Sequence, residues 1–339
     1  MPDDVAQEKV KALLALGAEV ERVRPASIVD KKQFVNLARQ RAEHFGQDDI
    51  ASGSAALPTA SSSVVVTTTA AEVVAPGHGV MTAEDDQELR TKPRGFFADQ
   101  FENKSNFDAH YEGTGPEIWR QTSGRVNAFV SGAGTGGTIA GTGKFLKTMN
   151  EDIIVALSDP EGSGLYNKIK YGVMFDQREA EGTKRRHQVD TVVEGIGINR
   201  LTKNMELGLG IINDAFRYFH SYPHRLLLKS LVSVTDEEAV AMSRYLVHHD
   251  GLFLGSSSAC NLVACIKLVK KMEWQDGENI VTILCDSGSR HYSKPITGRV
   301  NESDDSRNDD YLHNANVTID MRIIDDLLRA PSSSIHSPA

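Results

Sequence analysis

The chain has 339 residues, with 37 Lys plus Arg against 46 Asp plus Glu and a formal net charge of −9. That length suits about two domains, and the acidic balance disfavours nucleic acid or an anionic membrane surface as a partner. Cys260, Cys265 and Cys285 are too few for a disulfide framework, no apolar run reaches the ~20 residues of a membrane span, and Met1-Pro2-Asp3-Asp4 lacks the basic and apolar regions of a signal peptide.

In chain order, the opening predicts a helix capped by Asp3 or Asp4, with Val10, Leu13, Leu14 and Leu16 on one side and Gly17 as its stop. Residues 18–23 suggest a short strand, and Phe34, Leu37, Ala38 and Phe45 mark a second helix from about Asp30. Residues 1–46 are thus expected to be part of a small α/β domain, too little to bury a core alone. Residues 47–93, whose stretch 50–81 is mostly Ala, Ser, Thr, Val and Gly with almost no charge and no alternation, suggest a low-complexity insertion or linker. Residues 94–294 alternate strand and helix, with strands expected at 126–131, 153–158, 189–194, 231–234 and 279–285. The capping box Thr235-Asp236-Glu237-Glu238 opens a helix that should run to about His249, before Gly251. Continuously apolar strands separated by helices predict an α/β fold with a parallel sheet covered on both faces. Residues 295–339 form a divergent acidic tail with one amphipathic patch at 319–328.

The sharpest local feature is Gly132-Ala133-Gly134-Thr135-Gly136-Gly137-Thr138, between a strand and a helix candidate. Glycines permit a tight turn and close backbone approach, and the helix N-terminus behind them favours an anion, normally phosphate. Gly132, Gly134 and Gly137 also satisfy G-x-G-x-x-G, and Asp159 stands where a dinucleotide site keeps its ribose-binding acid. A nicotinamide-dependent enzyme is therefore one reading of the loop. Gly255-Ser256-Ser257-Ser258-Ala259, with Asp286 and His291 downstream, loosely imitates a hydrolase nucleophile elbow, although Ala replaces its closing glycine. No metal site is expected: Cys260 and Cys265 have no second pair, and His220 and His224 straddle Pro223.

Six stretches stand in order along the chain. They are Gly95-Phe96-Phe97-Ala98-Asp99-Gln100-Phe101-Glu102-Asn103, His110-Tyr111-Glu112-Gly113-Thr114-Gly115-Pro116-Glu117-Ile118-Trp119, and Gly134-Thr135-Gly136-Gly137-Thr138-Ile139-Ala140-Gly141. Val193-Glu194-Gly195-Ile196-Gly197, Gly251-Leu252-Phe253-Leu254-Gly255 and Leu284-Cys285-Asp286-Ser287-Gly288-Ser289-Arg290 complete the set. Together they resemble the cysteine synthases, pyridoxal-phosphate enzymes of the tryptophan-synthase-β-like fold, in their fungal-type branch. The resemblance implies fold type II, two parallel-sheet domains with the small one incomplete here, and pyridoxal 5'-phosphate as cofactor. It implies β-replacement on O-acetylserine with sulfide to give L-cysteine, in a homodimer. Gly134, Thr135, Gly136, Gly137 and Thr138 would cradle the cofactor phosphate, Gln100 would bind the substrate carboxylate, and Gly195 would line the substrate cavity. Ser287 matches the partner of the pyridine nitrogen, with Asp286 the competing candidate. A hydroxyl there cannot keep the ring protonated as a carboxylate would, which suits β-elimination and disfavours transamination.

Two features depart from the resemblance. The family's Schiff-base lysine lies in a Ser-x-Lys-Asp-Arg-like motif, and this sequence has none; Ser27-Ile28-Val29-Asp30-Lys31-Lys32 has the wrong order. Thr122-Ser123-Gly124 is followed by Arg125, where the family's carboxylate-gripping loop has Asn. A catalytic residue is thus not assigned, and the chain is expected to be N-terminally truncated, with residues 295–307 as an alien insertion. A catalytically dead homologue acting as a dimerisation partner is the alternative. The expected compartment is the cytoplasm, with the mitochondrion as the alternative.

Overall fold

The computed structural model describes residues 1–3, 5–24, 26, 30–45, 95–174, 191, 193–220, 232–290 and 320–329. The low-complexity stretch 47–93, His291 and the segment 295–307 lie outside them. Helices α1 (Gln7–Ala15) and α2 (Phe34–His44) come first. They are followed by α3 (Ser105–Ala109), a π-helical turn (His110–Thr114) and α4 (Gly115–Gln121). The central run is β1 (Ala128–Gly132), α5 (Gly137–Met149), β2 (Ile154–Pro160), α6 (Leu165–Tyr171), α7 (Lys203–His220) and β3 (Val232–Val234). Helices α8 (Asp236–Asp250) and α9 (Ser256–Met272), strand β4 (Ile280–Thr282), a 3-10 turn (Gly288–Arg290) and α10 (Arg322–Leu328) complete it.

Among the described residues the sheet has four strands, all parallel, in the order β3-β2-β1-β4. Side chains alternate between sheet faces with period two, and here both faces are apolar. Ala128, Val130, Ile154 and Ala156 join one core with Ala239, Met242 and Leu246 of α8 and Val263 and Leu268 of α9. Phe129, Val155 and Leu157 join the other with Ile139 and Leu146 of α5, Leu165 of α6 and Met205 of α7. Continuous apolar strands follow directly from this double covering. Strand β1 pairs with β2 on one side and with β4 on the other, so the sheet order reverses beside β1. Ligands of open parallel sheets bind at such a switch point, beyond the carboxyl ends of the strands.

Helix α8 forms as its sequence dictates. The Thr235 hydroxyl accepts from the Glu238 amide, the Glu238 carboxylate accepts from the Thr235 amide, and Gly251 closes the helix at φ 67°. Helix α10 lies within the amphipathic patch and buries Ile324 and Leu327.

Three expectations need correcting. Helix α1 begins after Ala6 with no side-chain cap, so Asp3 does not cap it, and Asp4 is outside the described residues. The 18–23 strand reduces to a single bridge between Val23 and Pro2, in which the Val23 amide donates to the Met1 carbonyl and the Asp3 amide to the Val23 carbonyl. In 189–194, the described residues Val193 and Glu194 are not strand: Val193 is buried, but the Glu194 amide donates to Ser256 Oγ at 3.1 Å rather than to a ladder.

Candidate cofactor and substrate site

The glycine loop leaves the carboxyl end of β1 and turns into α5. Gly136 sits at φ 84°, a left-handed conformation that side chains rarely adopt. A Cβ on Gly134 would lie 2.3 Å from the Gly195 carbonyl oxygen, one on Gly136 2.6 Å from Met205 Cα, and one on Gly137 2.0 Å from Asn106 Oδ1. The loop is therefore clamped between three other segments, with no room for a side chain at Gly134, Gly136 or Gly137. The first-turn amides of α5 have no intrahelical acceptor and carry the positive end of the helix dipole. The Thr135 hydroxyl oxygen accepts from Asn106 Nδ2 at 3.0 Å and from the Gly137 amide at 3.3 Å, which leaves its hydrogen for a ligand. These groups fit a phosphate ester: a cradle of backbone donors and hydroxyls, closed to Cβ atoms.

Two buried side chains and a partly buried ion pair hold the cradle in register. The Thr202 hydroxyl donates to the Thr135 carbonyl at 2.6 Å, and Met205 follows at the foot of the loop. Asn204, fully buried, donates to the carbonyls of Phe101 at 2.8 Å and Asn103 at 3.1 Å. Arg200 pairs with Glu102, whose other oxygen accepts from the Lys203 amide at 3.0 Å. Burial alone would raise the Glu102 pKa, but the Arg200 hydrogen bond, the Lys203 amide and the two cations together outweigh it, and the carboxyl titrates below its ordinary value. The segment 200–205 thereby ties the Gln100 turn to the phosphate loop.

Gln100 is exposed in that turn. Its carbonyl accepts from Asn106 Nδ2 at 2.7 Å, and its side chain makes no hydrogen bond among the described residues. Gly195 is also exposed, at φ 89°, with nothing within 4 Å of the position a Cβ would take, so it borders open space beside Gly134. Gly197 donates to the Ala133 carbonyl at 2.9 Å and fixes that border to the loop.

Ser287 follows β4, the neighbour of β1. It is exposed, bridges Leu254, and its hydroxyl lies 2.9 Å from Ser289 Oγ while accepting from the Ser289 amide at 3.3 Å. Asp286 accepts from Ser257 Oγ at 3.5 Å and so faces the N-terminus of α9 rather than standing free. The structure thus brings Gly134, Thr135, Gly136, Gly137, Thr138 and Gly195 together and sets Ser287 at the end of the adjoining strand. Gln100 is joined to them through its backbone.

Asn261 escaped the sequence reading. Fully buried on α9, it accepts from the Gly132 amide at 2.8 Å and donates to the Ile283 carbonyl at 2.9 Å. The β1–β4 ladder ends at Val130 and Thr282, and Asn261 takes its place where the strands part. It bridges the two strand ends with hydrogen bonds on both edges, between the glycine loop and the segment that leads to Ser287.

The rival motifs dissolve in this geometry. Asp159 lies inside β2, fully buried, and accepts from the Tyr166 amide at 2.7 Å, so it cannot reach a ribose. Ser256, Ser257 and Ser258 are buried in the first turn of α9, where Ser256 and Ser258 accept from the amides of Glu194 and Cys285. They staple the two cleft borders and are no nucleophile elbow. Burial pushes the thiols of Cys260, in the core, and Cys265, at its edge, up to about 12, well away from the thiolate form. Lys31 and Lys32 are exposed in the turn before α2.

A Schizosaccharomyces pombe protein named cysteine synthase 2 is 47% identical over 294 residues, covering 87% of this chain and 60% of that protein. A Saccharomyces cerevisiae protein provisionally named a mitochondrial cysteine synthase is 43% identical over 295 residues, with the same two coverages. The chain thus spans about 60% of the length of these relatives. A solved Helicobacter pylori structure, an O-acetylserine dependent cystathionine beta-synthase, is 27% identical, covering 63% of this chain and 57% of that one with a TM-score of 0.43. The family described as pyridoxal-phosphate dependent enzyme matches residues 1–286, and the chain belongs to that family.

Proposed function

We propose that this chain takes part in β-replacement on O-acetylserine with sulfide, yielding L-cysteine, with the cofactor held between the glycine loop and Ser287. The observation that supports the reading is the meeting of two adjoining strand ends, with a phosphate cradle after β1 and the Ser287 hydroxyl after β4, bridged through Asn261. Bound there, pyridoxal phosphate supplies an electron sink for loss of the α-proton and the β-substituent. The chain's own groups bind and orient. The loop amides with Thr135 and Thr138 hold the phosphate, and the Ser287 hydroxyl donates to the ring nitrogen without protonating it. Gln100 offers its free amide to the substrate carboxylate, and Gly195 leaves room for the side chain that is exchanged.

None of the lysines stands in a Ser-x-Lys-Asp-Arg text, and we assign none of them as the covalent anchor. The domain division we propose is 1–46, 47–93, 94–294 and 295–339. The assembly we propose is a homodimer in the cytoplasm or mitochondrion. Among the described residues no helix is long and apolar enough to cross a membrane.

The deciding experiment treats the purified chain with pyridoxal phosphate and then borohydride. Non-covalent binding, removed by dialysis and leaving no modified lysine in the mass spectrum, is the expected result. A cofactor-modified lysine would overturn the anchor assignment, and failure to bind at all would overturn the cleft. Light scattering of the same sample checks the dimer.

A further inference from the structure

The loop's two threonines share a property that the glycine pattern does not contain. Thr135 has its acceptor positions filled by Asn106 and the Gly137 amide. The oxygen of Thr138 lies 3.1 Å from His110 Nε2, and His110 Nδ1 lies 2.9 Å from the Thr114 hydroxyl. We infer that His110 is a positioning residue, which makes the Thr138 hydroxyl a dedicated donor to a phosphate ester in the glycine loop, and that Thr114 selects the imidazole tautomer that does so. The inference rests on the proposal that this loop holds the cofactor phosphate.

The argument is one of proton inventory. A neutral imidazole has one donor and one acceptor nitrogen. With its proton on Nδ1, Nε2 would consume the Thr138 hydrogen, and an arriving anion would meet only oxygen lone pairs. With its proton on Nε2, His110 donates to Thr138, whose hydrogen is then left for the ligand, while Nδ1 accepts from Thr114. Three hydrogen bonds run one way, from Thr114 through His110 and Thr138 to the anion. A phosphate ester dianion accepts only, so it selects this arrangement.

The backbone is shaped to allow the contact. His110 and Thr114 are the first and last residues of the π-helical turn, a widened coil that often marks a functional position. Gly141 of α5 lets the turn approach: a Cβ there would lie 2.3 Å from the Phe107 carbonyl oxygen and 2.8 Å from His110 Cβ. Burial lowers the His110 pKa, which keeps the ring in the neutral form that has a tautomer to choose.

The test uses the full chain with 15N-labelled histidine, titrated with pyridoxal phosphate and, separately, with pyridoxal. Wild type should prefer the phosphate ester, and its His110 resonances, assigned by their loss in His110→Gln, should report the Nε2–H tautomer in the complex. His110→Leu should weaken pyridoxal phosphate binding about tenfold and leave pyridoxal binding unchanged, as expected for one charge-assisted hydrogen bond. His110→Gln, which restores an N–H at a similar reach, should recover most of the loss. An Nδ1–H tautomer in the complex, or wild-type phosphate-ester affinity in His110→Leu, would overturn the inference. A wild-type chain indifferent to the phosphate would overturn the loop assignment instead. If His110→Leu does not fold, the tautomer in the wild-type chain decides the matter.

Discussion

The two strand ends that meet at the cleft are built on opposite plans. At the end of β1, recognition is backbone: Gly136 and Gly137 are buried, and side chains at 134, 136 and 137 would strike neighbouring segments. At the end of β4, recognition is side chain: Leu284, Cys285 and Ser287 are exposed, and the strand pairs over only three residues. A phosphate has the same shape and charge in any reaction, so a rigid cradle of amides suits it. The ring nitrogen sets the electronics of the chemistry, and an exposed hydroxyl at the edge of the cleft can be exchanged without rebuilding the fold. The difference predicts that changes at the first end break structure and binding together, whereas changes at the second alter binding or chemistry alone.

The largest effect is expected from Gly136→Asp. A non-glycine residue at φ 84° costs about 1–2 kcal/mol, and the side chain must displace Met205 backbone at 2.6 Å, so a total loss of about 2–5 kcal/mol is expected. The added carboxylate also repels the phosphate. Urea denaturation should show the loss of stability, and absorbance titration should show no retained pyridoxal phosphate. Full binding would mean that the loop is only a turn.

Asn261→Leu should come next, because it acts on both ends at once. The change keeps the branched shape but takes the acceptor from the Gly132 amide and leaves the Ile283 carbonyl only the Cys285 thiol at 3.7 Å, at a cost of about 2–4 kcal/mol. Cofactor binding should fall with stability. A variant that loses stability but binds normally would show that Asn261 braces the sheet without setting the width of the cleft.

The contrast between these residues also explains what the sequence could reveal. The loop at 134–138 was legible because its conformation demands glycine, and the α8 capping box because both partners lie three residues apart. Asn261 reaches Gly132 across 129 positions, and no periodic pattern records such a bond. The π-helical turn was equally hidden, since it adds one residue to a coil without a residue type of its own. The strand expected at 189–194 failed for a related reason. The apolar content of Val193 signals burial, and burial is satisfied here by a loop whose Glu194 amide is served by a serine side chain. Asp159 misled because spacing alone put it in a fingerprint, whereas its place inside β2 shuts it away from the cleft.

At the other end, Ser287→Ala should leave folding unchanged and weaken cofactor binding by less than about tenfold, because the hydroxyl contributes one exposed hydrogen bond. Ser287→Asp should also fold, and should hold the ring nitrogen protonated, visible as an upfield shift of a 15N-labelled pyridine. If neither variant changes binding or that resonance, Ser287 serves only the Leu254 bridge, and the side-chain plan for this end fails.

The smallest effect should be at Glu102, on the strap that ties the Gln100 turn to the loop. Its folded-state pKa lies below the ordinary 4.5. A depressed carboxyl binds fewer protons in the folded chain than in the unfolded one, so its stabilisation is fully present above pH 4.5 and drains away as pH falls through the folded value. Glu102→Gln keeps the shape but removes the charge that faces Arg200 and accepts from the Lys203 amide. The variant should therefore show a flatter fall in stability than wild type below pH 4.5, with identical slopes above pH 6. Because the side chain is partly exposed, solvent screens the pair and the difference should be modest. Parallel acid profiles for the two proteins would show that the strap is held by Asn204 and Thr202 alone, through neutral hydrogen bonds that no proton can release.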